Sequence, residues 1–200
     1  MEDDYIPRKK VIIIGESASG KTCLLLRLLK DTFNEYENAS IGASFQTKTF
    51  KVDGNKEVDV CLWDTCGQET FKSVVRQYMR ASDCVIVVFD ISRNETFEGL
   101  DYWVVQAKEL LGSSIPIIIV ASKIDLTHIV DMNEVEKYCS QNHFPLFKVS
   151  SKTGENVSEL FQHAAELAYQ YGLVIETPSS DGIITLNNSD ESSERKSKCC

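Results

Sequence analysis

No stretch of this chain is apolar for long enough to cross a bilayer. Its longest apolar runs, Cys84 to Phe89 and Ile115 to Ala121, fall far short of the roughly 20 residues a helical span requires. Positive charge is also scarce. Lys and Arg number 21 against 30 Asp and Glu, and the net charge of −9 is the wrong sign for gripping nucleic-acid phosphates. Met1-Glu2-Asp3-Asp4 offers neither a secretory signal nor a myristoylation glycine. There is no Cys-x-x-Cys pair. Cys23, Cys61, Cys66, Cys84 and Cys139 are scattered, and His128, His143 and His163 stand alone. A zinc site or disulfide framework is therefore not expected, and a reducing cytosolic setting is. The 200 residues suit one domain with a single sizeable core, and 42% hydrophobic content is enough to fill it.

What is present is an alternation of short apolar runs with amphipathic helical patterns from Lys9 to about Tyr171. Val11–Ile14, Cys84–Phe89 and Ile115–Val120 are continuous Val- and Ile-rich runs, as in parallel strands buried on both faces. Val58, Val60 and Leu62 alternate with Asp59, Cys61 and Trp63, which predicts a strand with two unlike faces. Asp53-Gly54 marks the turn of a hairpin joining Phe45–Val52 to Lys56–Trp63. Phe97, Leu100, Val104, Ala107 and Leu111 form one helical stripe, with Ser92 and Glu95 as a capping box at its start. Asp131 and Glu134 open another helix, and Val157, Leu160, Phe161, Ala164, Ala168 and Tyr171 line the last one. The expected fold is α/β, with helices on both faces of the sheet and ligands beyond the carboxyl ends of its strands. After about Leu173 the sequence turns to Ser, Asn, Asp, Glu and Lys. Residues 175–200 read as a flexible tail following a folded domain at 1–174.

Gly15-Glu16-Ser17-Ala18-Ser19-Gly20-Lys21-Thr22 has the spacing of a phosphate loop, placed between an apolar strand and a leucine-rich helix. Glycines let backbone N–H groups gather around phosphate oxygens, and the helix directs its positive end at them. Lys21 would bridge the β and γ phosphates, and the Thr22 hydroxyl would bind Mg²⁺. Trp63-Asp64-Thr65-Cys66-Gly67-Gln68-Glu69 follows the hairpin. There Asp64 could hold the metal, usually through a water. The Gly67 N–H could approach a γ-phosphate, and the Gln68 amide could orient an attacking water.

These two segments resemble the Ras-superfamily small GTPases, and within them the Rab family. The resemblance covers roughly residues 8 to 172 and the last two cysteines. It implies the three-layer P-loop GTPase fold: a mostly parallel six-stranded sheet with one antiparallel hairpin strand. It also implies Mg²⁺ and GTP or GDP as ligands, and a nucleotide site running through Ser17, Ala18, Ser19, Gly20, Lys21, Thr22 and Cys23. Ser40 stands where most members have threonine; its hydroxyl would complete the metal shell when the γ-phosphate is present. Phe33 matches the aromatic that packs against guanine. Ile41 and the aromatics Phe45, Trp63 and Tyr78 match the surface that Rab effectors read. Met79 departs from the usual tyrosine, and Cys66 from the usual alanine.

Ser122-Lys123-Ile124-Asp125 resembles the guanine motif Asn-Lys-x-Asp. The Asp125 carboxylate can accept from guanine N1–H and the exocyclic amine, a donor pair adenine lacks. Lys123 would lay its stem along the ring. Ser150-Ser151-Lys152 resembles the segment whose backbone N–H meets the guanine carbonyl. Ser122 replaces an asparagine that contacts the base and ties its strand to the phosphate loop. With a shorter side chain, guanine specificity is expected to survive through Asp125, but nucleotide release is expected to be faster. Cys199 and Cys200 resemble a double geranylgeranylation signal, and two lipid chains hold a membrane where one does so only marginally. The resemblance implies a monomer that works with an exchange factor, a GTPase-activating protein, an escort or dissociation-inhibitor chaperone and effectors. Its place would be the cytosolic face of an intracellular membrane, with no nucleic-acid partner. Two further readings stay open. One is a fast-exchanging, poorly hydrolysing scaffold. The other is an ATP-using kinase, against which Asp125 and Gln68 argue.

Overall fold

The structure, a computed structural model, describes residues 6–35, 43–65 and 72–176. Within these, β1 (Arg8–Ile14) leads into α1 (Lys21–Lys30). The hairpin strands β2 (Ala43–Val52) and β3 (Lys56–Thr65) follow, then α2 (Lys72–Met79) and β4 (Cys84–Asp90). A short α3 (Asn94–Glu98) and α4 (Leu100–Leu111) precede β5 (Ile117–Ser122), α5 (Met132–Asn142), β6 (Leu146–Lys148) and α6 (Val157–Glu176). The sheet order is β2-β3-β1-β4-β5-β6. Only β2 runs antiparallel to its neighbour; β1, β3, β4, β5 and β6 pair in parallel.

Side-chain alternation along the strands builds the layers. Val11 and Ile13 of β1 pack with Ile86, Val88, Ile118 and Val120 against α1 and α6, around Leu24, Leu160, Phe161 and Ala164. Ile12 and Ile14 point the other way, with Val85, Val87, Ile117 and Ile119. There they meet Met79 of α2, Trp103 and Val104 of α4 and Val135 of α5. Every residue of β4 and of β5 is buried, as their unbroken apolar character predicts. In β3, Val58, Val60 and Leu62 are buried while Asp59, Cys61 and Trp63 are half-buried. Burial pushes the Cys84 thiol up to about 12 and the Cys139 thiol up to about 11, so both remain neutral packing groups at physiological pH.

Three local expectations change. The capping box at Ser92 does not form. Arg93 takes the N-cap position of α3 without a side-chain cap bond. The buried Asp90 carboxylate claims Ser92 instead, accepting from its N–H at 2.8 Å and its hydroxyl at 2.7 Å. The predicted single helix is interrupted at Gly99, which separates α3 from α4. Gly99 passes the Glu16 side chain so closely that an added Cβ would stand 3.0 Å from its Cγ. The stripe itself persists, with Leu100, Val104 and Ala107 buried. Finally, β5 begins at Ile117 rather than Ile115, although Ile115 is still buried in the core.

The Asp131 start of α5 is as expected, its carboxylate accepting from the Asn133 N–H at 2.9 Å. Asp53 and Gly54 both take positive φ in the hairpin turn. No helix among the described residues is long and apolar enough to cross a membrane.

Candidate functional site

The phosphate-loop segment links the carboxyl end of β1 to α1. Gly15 has φ +139°, and a Cβ there would lie 2.1 Å from the Val88 carbonyl oxygen of β4. Only glycine lets the chain leave the sheet so close to the neighbouring strand. Gly20, at φ +98°, is the N-cap of α1, and no side chain caps that helix. A helix N-terminus directs backbone N–H groups and the positive end of its dipole toward an anion.

Five consecutive loop carbonyls accept hydrogen bonds from side chains. Lys21 Nζ, 5% exposed, donates to Gly15 O at 3.0 Å and Glu16 O at 2.8 Å. Arg93 Nη2 donates to Ser17 O at 3.2 Å, and Lys123 Nζ to Ala18 O at 2.8 Å. Ser122 Oγ reaches Ser19 O at 2.6 Å and also the Phe89 O of β4 at 2.8 Å. A peptide's N–H points opposite to its C=O, so carbonyls held this way turn the N–H groups toward the opposite side. The exception is the Ser19 N–H, which closes a turn onto Glu16 O at 3.3 Å. Below the loop, the Trp103 indole donates to Glu16 Oε1 at 3.0 Å.

Ser122 thus makes the tie between β5 and the phosphate loop with a hydroxyl where an amide was the expected group. Its single hydrogen serves one of two backbone carbonyls at a time. No second donor remains for a base.

At the end of β3, Asp64 pairs in register with Ile13 of β1, which brings it beside the loop. The Thr65 hydroxyl donates to Ile13 O at 2.7 Å and pins this strand end. Asp64, 3% exposed, accepts from the Thr22 hydroxyl at 2.7 Å. A hydroxyl and a carboxylate at this distance are a hard-oxygen donor set of the kind Mg²⁺ takes.

The ends of β5 and β6 form the other half of the site. Asp125 Oδ1 accepts from the Ser150 hydroxyl at 2.5 Å, and Ser150 Oγ accepts from the Thr153 N–H at 3.1 Å. Lys123 takes φ +63° immediately before Ile124, whose N–H bonds Val149 O at 3.2 Å. Arg27 of α1 reaches across to this loop. Its Nε donates to Ser151 O at 2.7 Å, its Nη2 to Lys152 O at 2.9 Å and its Nη1 to Asp31 Oδ1 at 2.8 Å. Phe33 is 37% exposed, which does not fit a residue buried in the core at a helix end. Cys23 is half-buried in the first turn of α1.

The aromatics from three elements meet on one surface. Phe45 stacks on its cross-strand partner Trp63 with centroids 5.1 Å apart, and Trp63 lies 5.7 Å from Tyr78. Phe45 is 55% exposed. Lys10 braces this group. Its Nζ sits 4.5 Å from the Trp63 ring centroid and donates to Tyr78 O at 2.6 Å and Arg80 O at 2.8 Å, at the C-terminal end of α2. Burial lowers its pKa, with nearby Asp83 and Cys61 opposing. Ser40, Ile41, Cys66, Gly67, Gln68, Cys199 and Cys200 lie outside the described residues.

Sequence reasoning missed Arg27, Asp90, Arg93 and Lys10. For Asp90 a signal existed, since a carboxylate closing an apolar strand is unusual. Arg27, Arg93 and Lys10 act across long sequence separations and carry no local mark.

A glycine-shaped loop between β1 and α1, the Thr22–Asp64 contact and the Ser150–Asp125 contact, all at the carboxyl ends of the strands, are the arrangement of a phosphate-loop nucleotide-binding fold. The Ras family model matches residues 10–170. The chain is 37% identical over 161 residues to the GTP-binding protein ypt5 of Schizosaccharomyces pombe, covering 79% of this chain and 76% of that one. It is 34% identical over 201 residues to the Ras-related protein Rab-18 of Lymnaea stagnalis, covering 100% and 98%. To the GTP-binding protein YPT53 of Saccharomyces cerevisiae it is 37% identical over 165 residues, covering 78% and 74%. The chain belongs to the Ras family, as a Rab-type small GTPase: a GTP-hydrolysing enzyme of membrane trafficking.

Arg27 should matter for nucleotide retention, because it holds the Ser151–Lys152 backbone, the segment expected to meet the guanine carbonyl. Arg27→Ala is predicted to speed release of a fluorescent GDP about tenfold, equivalent to roughly 1.4 kcal/mol, near the top of the range for one lost hydrogen bond. Release at the unaltered rate would show that the loop holds its shape without this side chain.

Proposed function

We propose that this GTPase cycles between GDP and GTP with Mg²⁺ held by Thr22 and Asp64, joined by Ser40 in the GTP state. The carrying observation is the contact of the Thr22 hydroxyl with the buried Asp64 carboxylate beside a laced phosphate loop. Bound Mg²⁺ supplies charge neutralisation at the β and γ phosphates. Lys21 adds a second cation there, and the first-turn N–H groups of α1 add fixed dipoles. Gln68 orients the attacking water. Gly67 and Ser40 release their γ-phosphate contacts on hydrolysis, and the loosening of both segments is what partners read.

Guanine is selected by Asp125, aligned by its bond from Ser150, while the Ser151 and Lys152 backbone, held by Arg27, faces the guanine carbonyl. Lys123 and Phe33 flank the ring. An exchange factor loads the protein, an activating protein accelerates it, and effectors dock on Ile41, Phe45, Trp63 and Tyr78. The exposure of Phe45 and its stacking on Trp63 support that surface. Geranylgeranyl groups on Cys199 and Cys200 anchor the chain to the cytosolic face of an intracellular membrane. An escort or dissociation-inhibitor chaperone carries the cytosolic pool.

Ser122 favours a second reading, a fast-exchanging, poorly hydrolysing scaffold. Its one hydroxyl is engaged by Ser19 O and Phe89 O, and an asparagine amide would have a donor left for the base.

Gln68→Leu should nearly abolish GTP turnover while GDP and GTP affinities stay within about twofold of the original. Turnover that survives the change would remove Gln68 from the reaction. Replacing Cys199 and Cys200 by serine should move the protein from the membrane to the cytosolic fraction of cells, and continued sedimentation with membranes would refute the anchor. Ser122→Asn should slow GDP release about tenfold, one extra hydrogen bond being worth roughly 1–1.5 kcal/mol. Equal release rates with and without the amide would mean that the serine is compensated, and would count against the scaffold reading.

A further inference from the structure

The apolar strand β4 ends in a carboxylate that the reading above does not use. Asp90 is 1% exposed. A buried charge persists only where specific partners hold it. Here the Ser92 N–H and hydroxyl donate to Oδ1, at 2.8 and 2.7 Å. The Lys123 ammonium lies 2.6 Å from Oδ2. Burial works to raise the carboxyl's pKa, but Lys123 and the two Ser92 donors outweigh it and hold it below the ordinary value. The Asp90 carboxyl is therefore ionised at neutral pH.

Lys123 is the hinge of this arrangement. Its ammonium is shared between Asp90 and the Ala18 carbonyl, so one cation joins the end of β4 to the phosphate loop. Its Cε passes 3.8 Å from where a Cβ on Gly20 would stand, which lays the stem along the loop. Its backbone sits at φ +63°, a state that non-glycine residues hold only when their surroundings fix it. The turn carrying Asp90 is itself rigid. The Asp90 N–H donates to Thr96 Oγ1 at 2.9 Å, and Thr96 Oγ1 donates to Arg93 O at 2.7 Å. Arg93 from the same turn grips Ser17 O.

We propose that Asp90 is a positioning residue for nucleotide retention: acting through Lys123, it fixes the lysine stem against the phosphate loop and so sets how long a guanine nucleotide stays bound. The proposal rests on the reading of Lys123 as the residue that lies along the guanine ring. A lysine without this counter-charge keeps its bond to Ala18 O but loses the second point that defines its direction. A stem free to swing covers the base for less of the time.

The test is the release rate of a fluorescent GDP, with Mg²⁺ present, from the full chain and four variants. The variants are Asp90→Asn, Lys123→Met, the two combined, and Ser92→Ala. Asp90→Asn should speed release about tenfold in the unaltered background and less than twofold in the Lys123→Met background. A general structural role would act equally in both, and equal acceleration overturns the proposal. So does unchanged release from Asp90→Asn. If Asp90→Asn folds poorly by circular dichroism, Ser92→Ala carries the test. It loosens the carboxylate without removing it and should speed release two- to fivefold; release at the original rate overturns the proposal. Failure of the underlying reading looks different, because Lys123→Met would then release GDP at the original rate.

Discussion

The site depends on how the backbone of one loop is held. The carbonyls of Gly15 through Ser19 all point at donors: Lys21 from within the loop, Arg93 from the turn after β4, Ser122 and Lys123 from the end of β5. Three of these four donors are cations, so most of the bonds are charge-assisted and stronger than neutral ones. An anion on the other side of the loop would meet N–H groups whose orientation is already fixed. The ordering cost that a flexible loop would incur at the moment of binding is largely met on folding.

That lacing requires three parallel strands to end at the same level. β1, β4 and β5 are neighbours in the sheet, with Asp90 in register with Ser122. Two apolar layers keep them there, since every residue of β4 and β5 is buried. Gly15 allows the closest approach, under the Val88 carbonyl. The same register brings Asp90 within reach of Lys123, so a charge that would be costly alone becomes a fixed counter-ion. α1 performs a parallel task on the other flank. It begins at the phosphate loop with Lys21 and carries Arg27 two turns later to the Ser151–Lys152 backbone, so one helix braces both loops.

The aromatic surface shares this scaffold. Phe45 and Trp63 stand opposite each other in the hairpin, and Lys10 of β1 ties Trp63 to the end of α2. Lys10 reaches α2 through its side chain, while its strand also carries the phosphate loop.

Much of this protein was legible in its sequence because the signals are local. Unbroken Val- and Ile-rich runs marked β1, β4 and β5. Alternation marked β3, and Gly-x-x-x-x-Gly-Lys-Thr marked the loop that only glycines at its two ends permit. Lys21, Thr22, Asp64 and Asp125 drew notice for the same reason, each standing in a short motif at a strand end, and the fold brings Thr22 to Asp64 and Ser150 to Asp125. The diversion of Ser92 was not readable, because Asp90, only two residues earlier, competes for it as a buried charge only once the fold has enclosed that carboxylate. Arg93 is 76 residues from Ser17, Lys123 is 105 from Ala18 and Arg27 is 124 from Ser151. The sequence by itself determined the family-level motifs and the strands and helices that carry them. Only the tertiary structure decided which groups hold those in place, because a backbone carbonyl's partner is chosen by the strands and helices that packing brings beside it, and no residue pattern encodes that direction.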